Sequence, residues 1–171
     1  GHRALYPGAE LTMRDSTIAS RLEYDLTPDL MLYAAAGYHY GASEQDFPSA
    51  RGNDAIDMAN NLRISNAWYD AATRNKTGEV GARARLEGLG VKHLVSVSAS
   101  RLEQESGSFY LTAPAGTATA SNIYNPAPLP PMTGPRQSPT TTSGTELSSV
   151  ALSDTVSFFD NRLLLTGGVR K

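Results

Sequence analysis

Long runs of period-two alternation, paired about short turns and parted by long polar stretches, constrain this chain more than any other feature. From Thr17 to Leu26, residues Ile18, Ser20, Leu22, Tyr24 and Leu26 share one side, and Thr17, Ala19, Arg21, Glu23 and Asp25 share the other. Two is the period of a strand, in which successive side chains point to opposite faces. Thr27-Pro28-Asp29 supplies a turn, because proline presets φ and aspartate bonds nearby backbone. Leu30 to Gly41 returns with Leu30, Leu32, Ala34, Ala36, Tyr38 and Tyr40 on one side, so the two runs form a hairpin.

The pattern recurs twice. Val80, Ala82, Ala84 and Leu86 oppose Glu79, Gly81, Arg83, Arg85 and Glu87; Gly88-Leu89-Gly90 turns the chain, and alternation resumes from Val91 to about Glu105. Glu146 to Phe158 and Arg162 to Arg170 form a third pair about Asp160-Asn161. Residues 42–60 and 106–144 read as long loops, the second rich in Gly, Ser, Thr, Ala and Pro and too polar to pack alone. Asn61 to Thr73 reads as an extended segment, and 61–87 as one long or bulged pass. Short turns and long loops then sort to opposite ends of up-and-down antiparallel strands. Outer-membrane barrels have this asymmetry, with short periplasmic turns and long external loops. Alternation alone fits an ordinary antiparallel sheet with one solvated face equally well.

The charges follow the strand faces. Arg21, Glu23, Asp25, Glu79, Arg83, Arg85 and Glu87 would line a wet interior, whereas a charge facing lipid costs roughly 2–4 kcal/mol at the midplane. Tyr24, Tyr33, Tyr38, Tyr40, Phe158 and Phe159 lie near strand ends, where interfacial aromatics gather. No run of about 18 apolar residues is present, which excludes a membrane helix but not a membrane barrel. A net charge of −2 gives no basic excess for nucleic acid, and the absence of cysteine excludes a disulfide scaffold or thiolate metal site. The first fifteen residues lack the features of a signal peptide, and the last ten stop within a strand. Residues 1–171 are therefore expected to be a piece of a longer protein.

No catalytic constellation is legible, so the chain is expected not to be an enzyme. His2, His39 and His93 lack the spacing of metal ligands. Lys76-Thr77-Gly78 matches one serine β-lactamase element, but no S-x-x-K accompanies it. Gly88-Leu89-Gly90 begins like a dinucleotide fingerprint without its third glycine or its helix.

Three stretches, "TGEVGARARLEGLGVKHLVSVSAS", "SNIYNP" and "ELSSVALSDTVSFFDNRLLLTGGVR", resemble consecutive pieces of TonB-dependent siderophore receptors of the ferrichrome type. The features that match are Lys92-His93 after a turn, Asn122 to Pro126 in an outer loop, Asp154, Asp160-Asn161, and Gly168 to Arg170; "LEYDLTPDLMLYAAAGY" is similar to the family's periplasmic hairpins. Leu89-Gly90 departs from the family's usual Thr-Gly. The resemblance covers most of residues 15–171. It implies a fold of antiparallel strands from a 22-stranded transmembrane barrel in the bacterial outer membrane, of which 1–171 supply about six. The plug domain, the remaining strands and the TonB-binding box would lie elsewhere in the protein.

The resemblance also implies a function: binding ferric siderophores and importing them with energy transmitted by TonB. Iron would arrive as a chelate, with no cofactor held by the protein. Partners would be the ferric siderophore, the TonB complex through the region ahead of this chain, and outer-membrane lipid, with no nucleic acid. Ligand contacts would come from Tyr38, His39, Tyr40, Trp68, Tyr69, Tyr110 and Tyr124. Arg21, Glu23, Glu79, Arg83 and Arg85 would face the lumen or plug. Alternatives are a soluble all-β binding module, such as a sandwich, and a segment of a porin or other outer-membrane transporter.

Overall fold

A computed structural model describes residues 6–51, 56–88, 90–159 and 162–171. The expected sites at His2, Leu89 and Asp160-Asn161 lie outside the described residues. The chain is all-β: β1 (Leu11–Thr27), β2 (Leu30–Asp46), β3 (Ser49–Arg51), β4 (Asn61–Ser65), β5 (Ala67–Gly88), β6 (Val91–Thr112), β7 (Thr119–Asn122), β8 (Thr140–Phe158) and β9 (Leu163–Arg170). Six strands form one sheet in the order β1-β2-β5-β6-β8-β9, and three form another in the order β3-β4-β7. The larger sheet is open, with β1 and β9 at its edges, so the six strands do not close into a barrel.

The expected hairpins form, with strands longer than the alternation indicated. β2 runs on through Gly41-Ala42-Ser43-Glu44-Gln45-Asp46, and β6 runs to Thr112. Residues 61–87 are not one pass, because Asn66 separates β4 from β5 and the two belong to different sheets. The segments read as loops also hold β3 and β7, each only three or four residues long.

The turns follow their chemistry. At the first, the Thr27 hydroxyl accepts the Asp29 N–H (3.3 Å). Gly90 takes φ 76° before β6, a region that favours glycine. At the third, the Arg162 N–H donates to the Phe159 carbonyl (3.2 Å).

The chain divides into two compact units. The first comprises 1–15, 41–73 and 106–143; the second comprises 16–40, 74–105 and 144–171. The first has a conventional core. Ile64, Leu62, Ala67 and Ala113 are buried in it, along with polar Ser65, Asn66, Asp70 and Ser121. β4 sits between β3 and β7, pairing Ile64 with Ala50 and with Thr119. Asn122 anchors β7 through its amide, which donates to the Ala59 carbonyl (3.1 Å) and to Asn61 Oδ1 (3.0 Å).

The second unit has no such core among its described residues; it is sheet with both faces accessible. On one face, Leu22, Val80, Val97, Val150 and Leu152 are exposed. The β8–β9 register continues that face, setting Leu152 opposite Val169, Val156 opposite Leu165 and Phe158 opposite Leu163. The other face is polar and cross-bonded, and Thr155 and Thr166 share a hydroxyl bond across it (2.9 Å).

Candidate functional site

In the second unit, the polar face gathers the expected lumen residues Arg21, Glu23 and Glu79 around Tyr33. The Tyr33 hydroxyl donates to Glu79 Oε1 (2.6 Å), Arg21 stands 4.2 Å from the Tyr33 ring centroid, and Arg21 Nε donates to Glu23 Oε1 (2.6 Å). Tyr33 lies over Gly81, where an added Cβ would come within 2.6 Å of the ring, so only glycine leaves room for it. Tyr33 is therefore part of the polar cluster, not of an aromatic girdle as its place near a strand end had suggested. Strand parity dictates this: its neighbours Leu32 and Ala34 point to the apolar side.

The same face carries Thr17, whose hydroxyl meets His39 Nδ1 at 2.9 Å, and Arg170, whose guanidinium donates to the Ser149 hydroxyl (2.7 Å). A shallow hollow of about 790 Å³ runs over it, lined among others by Arg21, Gly37, Thr77, Glu79, Ser149 and Arg170. Arg83 and Arg85 line a smaller hollow of about 90 Å³ beside Asp25 and Asp29. Arg85 is held there by its backbone N–H, which donates to the Asp29 carbonyl (2.7 Å).

Of the expected ligand residues in this unit, Tyr38 and Tyr40 do not join His39. They meet Arg74, which lies beside Tyr38 and stands 6.0 Å from the Tyr40 ring centroid. One residue of offset along a strand reverses the face, and that separates these neighbours.

In the first unit, Tyr69 and Tyr110 come together. Their ring centroids are 6.3 Å apart in an edge-on arrangement, and Phe47 stands 6.3 Å from Tyr69 on its other side. All three rings are partly exposed, giving a row of aromatic edges and faces open to a ligand. Tyr124 is well exposed in the loop after β7, and its backbone N–H donates to Asn122 Oδ1 (2.9 Å).

Trp68 belongs to a different cluster. Arg136 lies 5.1 Å from its ring centroid and grips Asp70 with both arms of its fork, Nε to Oδ2 at 2.7 Å and Nη2 to Oδ1 at 2.6 Å. Gln45 completes the knot: its N–H donates to Asp70 Oδ1 (3.3 Å), and its carbonyl accepts from Arg136 (3.3 Å). Asp70 is almost fully buried, with its side chain 3% exposed against 31% for Arg136. The bond to Asp70 raises the Arg136 pKa above its ordinary value, so the guanidinium stays charged. Phe47, Asp70 and Arg136 were not singled out from the sequence. One signal was available for Arg136, the only charged residue between 106 and 144.

No group of three or more His, Asp or Glu side chains among the described residues could hold a metal ion. Among the described residues no helix is long and apolar enough to cross a membrane, which says nothing about spanning strands.

No known family model and no curated protein matches the sequence. Solved structures do match in fold. BauA, the ferric preacinetobactin receptor of Acinetobacter baumannii, superposes with a TM-score of 0.73 at 23% identity, over 95% of this chain and 24% of that one. The ferric-catecholate import receptor Fiu of E. coli K12 gives 0.65 at 14% identity, over 96% and 24%. The siderophore receptor PiuA of A. baumannii gives 0.59 at 15%, over 94% and 25%. This chain thus spans about a quarter of the length of the receptors it matches. Its fold is similar to that of outer-membrane receptor barrels, and these neighbours are transport receptors, not enzymes.

Proposed function

We propose that this chain is a barrel segment of an outer-membrane receptor that binds ferric siderophores and imports them with energy delivered through TonB. The observation that carries the reading is the two-faced sheet of the second unit. Its apolar face stands exposed, while its opposite face is cross-bonded by Arg21, Glu23, Tyr33 and Glu79. A sheet of this kind is matched to hydrocarbon on one side and a wet lumen on the other. The likeness in fold to three siderophore receptors supports the same reading.

Within it, Arg83 and Arg85 join the lumen-facing charges, placed to meet a plug. The aromatic row of Phe47, Tyr69 and Tyr110 is the proposed ligand contact; His39, Trp68 and Tyr124 are separate candidates. Aromatic faces and phenol hydroxyls suit a bulky chelate bearing rings and oxygens. The siderophore fills the coordination shell of the iron, so the protein supplies no metal ligand and needs no cofactor. TonB would engage the protein ahead of this chain, lipid would surround the barrel, and nucleic acid has no part.

The test is uptake of radiolabelled iron by cells in which the protein carrying this segment is the sole receptor. Ferrichrome and a tris-catecholate serve as probes, with and without TonB. TonB-dependent uptake of either chelate, reduced by Tyr69→Ala with Tyr110→Ala, is the expected result. Passive uptake of small solutes without TonB would make the protein a porin. A protein found in the aqueous fraction would be a soluble β module.

A further inference from the structure

On the polar face of the second unit, the guanidinium of Arg170 is held in place by groups that cannot neutralise it. From β9 it reaches back across β8. Its Nε and Nη2 both donate to Ser149 Oγ (3.0 and 2.7 Å), and Nη2 makes a longer contact with Ser100 Oγ of β6 (3.4 Å). The two hydroxyls bond each other at 2.8 Å. The Ser149 oxygen thus fills one side of the fork, a place that a carboxylate oxygen takes in an arginine ion pair. Among the described residues, Arg170 has no carboxylate within ion-pair distance. Arg21, Arg74 and Arg101 each have one, and on the apolar face His93 Nδ1 meets Asp154 Oδ2 at 2.7 Å.

Donors outnumber acceptors in this cluster. Ser149 Oγ receives two N–H groups, so its own proton goes to Ser100 Oγ. The Ser100 proton and both N–H groups of Arg170 Nη1 then find no acceptor within the cluster. By the register that joins Arg74 to Glu105 and Lys76 to Glu103, Ser100 lies opposite Glu79. That carboxylate already accepts the Tyr33 hydroxyl (2.6 Å), from β2, on the side away from β6. Arg170, Ser149 and Ser100 all line the shallow hollow of about 790 Å³ on this face. Its size lies within the range of small-molecule sites, roughly 300–1,000 Å³, and well beyond what one protein side chain fills.

We propose that Arg170, Ser149 and Ser100 form a binding site for a carboxylate group carried by a small solute. This rests on the receptor reading above, and under it the substrate is a ferric chelate with a carboxylate at its periphery. One guanidinium balances one carboxylate, and its Nη1–Nη2 edge offers the planar two-point geometry that suits such a group. The long contact to Ser100 is the one that yields, and the freed hydroxyl donates to the incoming oxygen. The bonds to Ser149 stay, so the fork is oriented before the solute arrives.

The experiment follows modification of Arg170 by phenylglyoxal, an arginine-directed dicarbonyl, in the full-length protein in non-ionic detergent. Peptide mass spectrometry reads the rate. Iron-free citrate is the probe, and its uncharged triamide is the control. Citrate is expected to slow modification of Arg170 by roughly tenfold, the scale of a hydrogen bond to a charged group. The rate at Arg21, already paired with Glu23, should not change. The triamide should slow neither. Ser100→Ala with Ser149→Ala keeps the charge but releases the guanidinium, and should weaken the protection by citrate. An Arg170 that reacts equally fast with and without citrate would overturn the proposal. So would an Arg170 that is unreactive in both, because the protein itself would then fill the site. The probe carries no iron, so cells that fail to take up ferric chelates would overturn the receptor reading and leave this result standing.

Discussion

Replacing Arg136 by methionine keeps the bulk of the side chain and removes the fork that grips Asp70. The carboxylate is buried, with its side chain 3% exposed, and would retain a single long bond from the Gln45 N–H (3.3 Å). Breaking a buried ion pair from one side costs about 3–5 kcal/mol, because the remaining charge is left desolvated. Arg136 is itself 31% exposed, so water can follow it into the gap and lower the cost to about 2–4 kcal/mol. At about 1.36 kcal/mol per tenfold, local opening should rise roughly 30- to 900-fold.

Hydrogen exchange of the amides of residues 132–138, read on the protein in detergent micelles, measures that opening directly. Arg136→Met with Asp70→Leu should open less than Arg136→Met alone, since no buried charge is then stranded. Protection within threefold of the parent in the single variant, or strictly additive effects in the double, would refute the account of Arg136 as the strap that holds its loop to β5.

Gly81→Ala should push the Tyr33 ring off the strand, break its bond to Glu79 and cost about 1–3 kcal/mol, read as a lower urea midpoint. The loss should vanish in a Tyr33→Ala background; a loss that persists would place the strain elsewhere. Asp57 accepts the N–H groups of Ala59 and Asn61 (both 2.8 Å), and the Asn61 contacts chiefly hold its pKa below the ordinary value. A depressed folded pKa means that the turn is secured above the ordinary aspartate range, near 3.9, and released as pH falls through the lower folded value. An Asp57 titration by NMR with its midpoint at or above that range would contradict this. For the pair on the apolar face, His93→Leu with Asp154→Leu should refold into vesicles at least as well as His93→Leu alone, which strands a carboxylate. Poorer refolding of the double variant would show the pair to be net stabilising.

The long hairpins were legible because their information is local: alternation fixes the faces, and Thr27-Pro28-Asp29 and Gly88-Leu89-Gly90 fix the reversals. Faces were legible for the same reason, and Arg21, Glu23 and Glu79 meet as their parity required. The extension into 41–46 was hidden because that stretch has no apolar side, and the one into 106–112 because its few alternating apolar residues, Phe109 and Leu111, run straight into a Gly-, Thr- and Pro-rich stretch. β3, β4 and β7 were hidden for a second reason, since three to five residues are too few to display a period. Arg136 and Asp70 are 66 positions apart, and nothing local in either neighbourhood announces the other. Among the ligand candidates, parity decided which side chains share a face. Tyr38, His39 and Tyr40 are consecutive, yet the middle residue meets Thr17 while the outer two meet Arg74.

The two units also answer differently to solvent. The first encloses Ile64 and Leu62 and ties down its polar groups, Asp70 by Arg136 and Ser121 by the Ala127 N–H (2.9 Å), as water requires. The second encloses no such residues among those described; Leu22 is 76% exposed, Val169 73% and Leu86 57%. Its inner strands satisfy their backbone within the sheet, but its apolar side chains gain nothing until some other phase covers them. Exposed apolar surface on this scale marks a surface meant for a partner. Stability of the second unit must therefore depend on its surroundings far more than that of the first. Withdrawing detergent below its micelle concentration should accelerate exchange at Val80, Val97 and Val150 while leaving Ile64 protected. Equal loss at all four positions would mean that one core, not two solvents, holds the chain together.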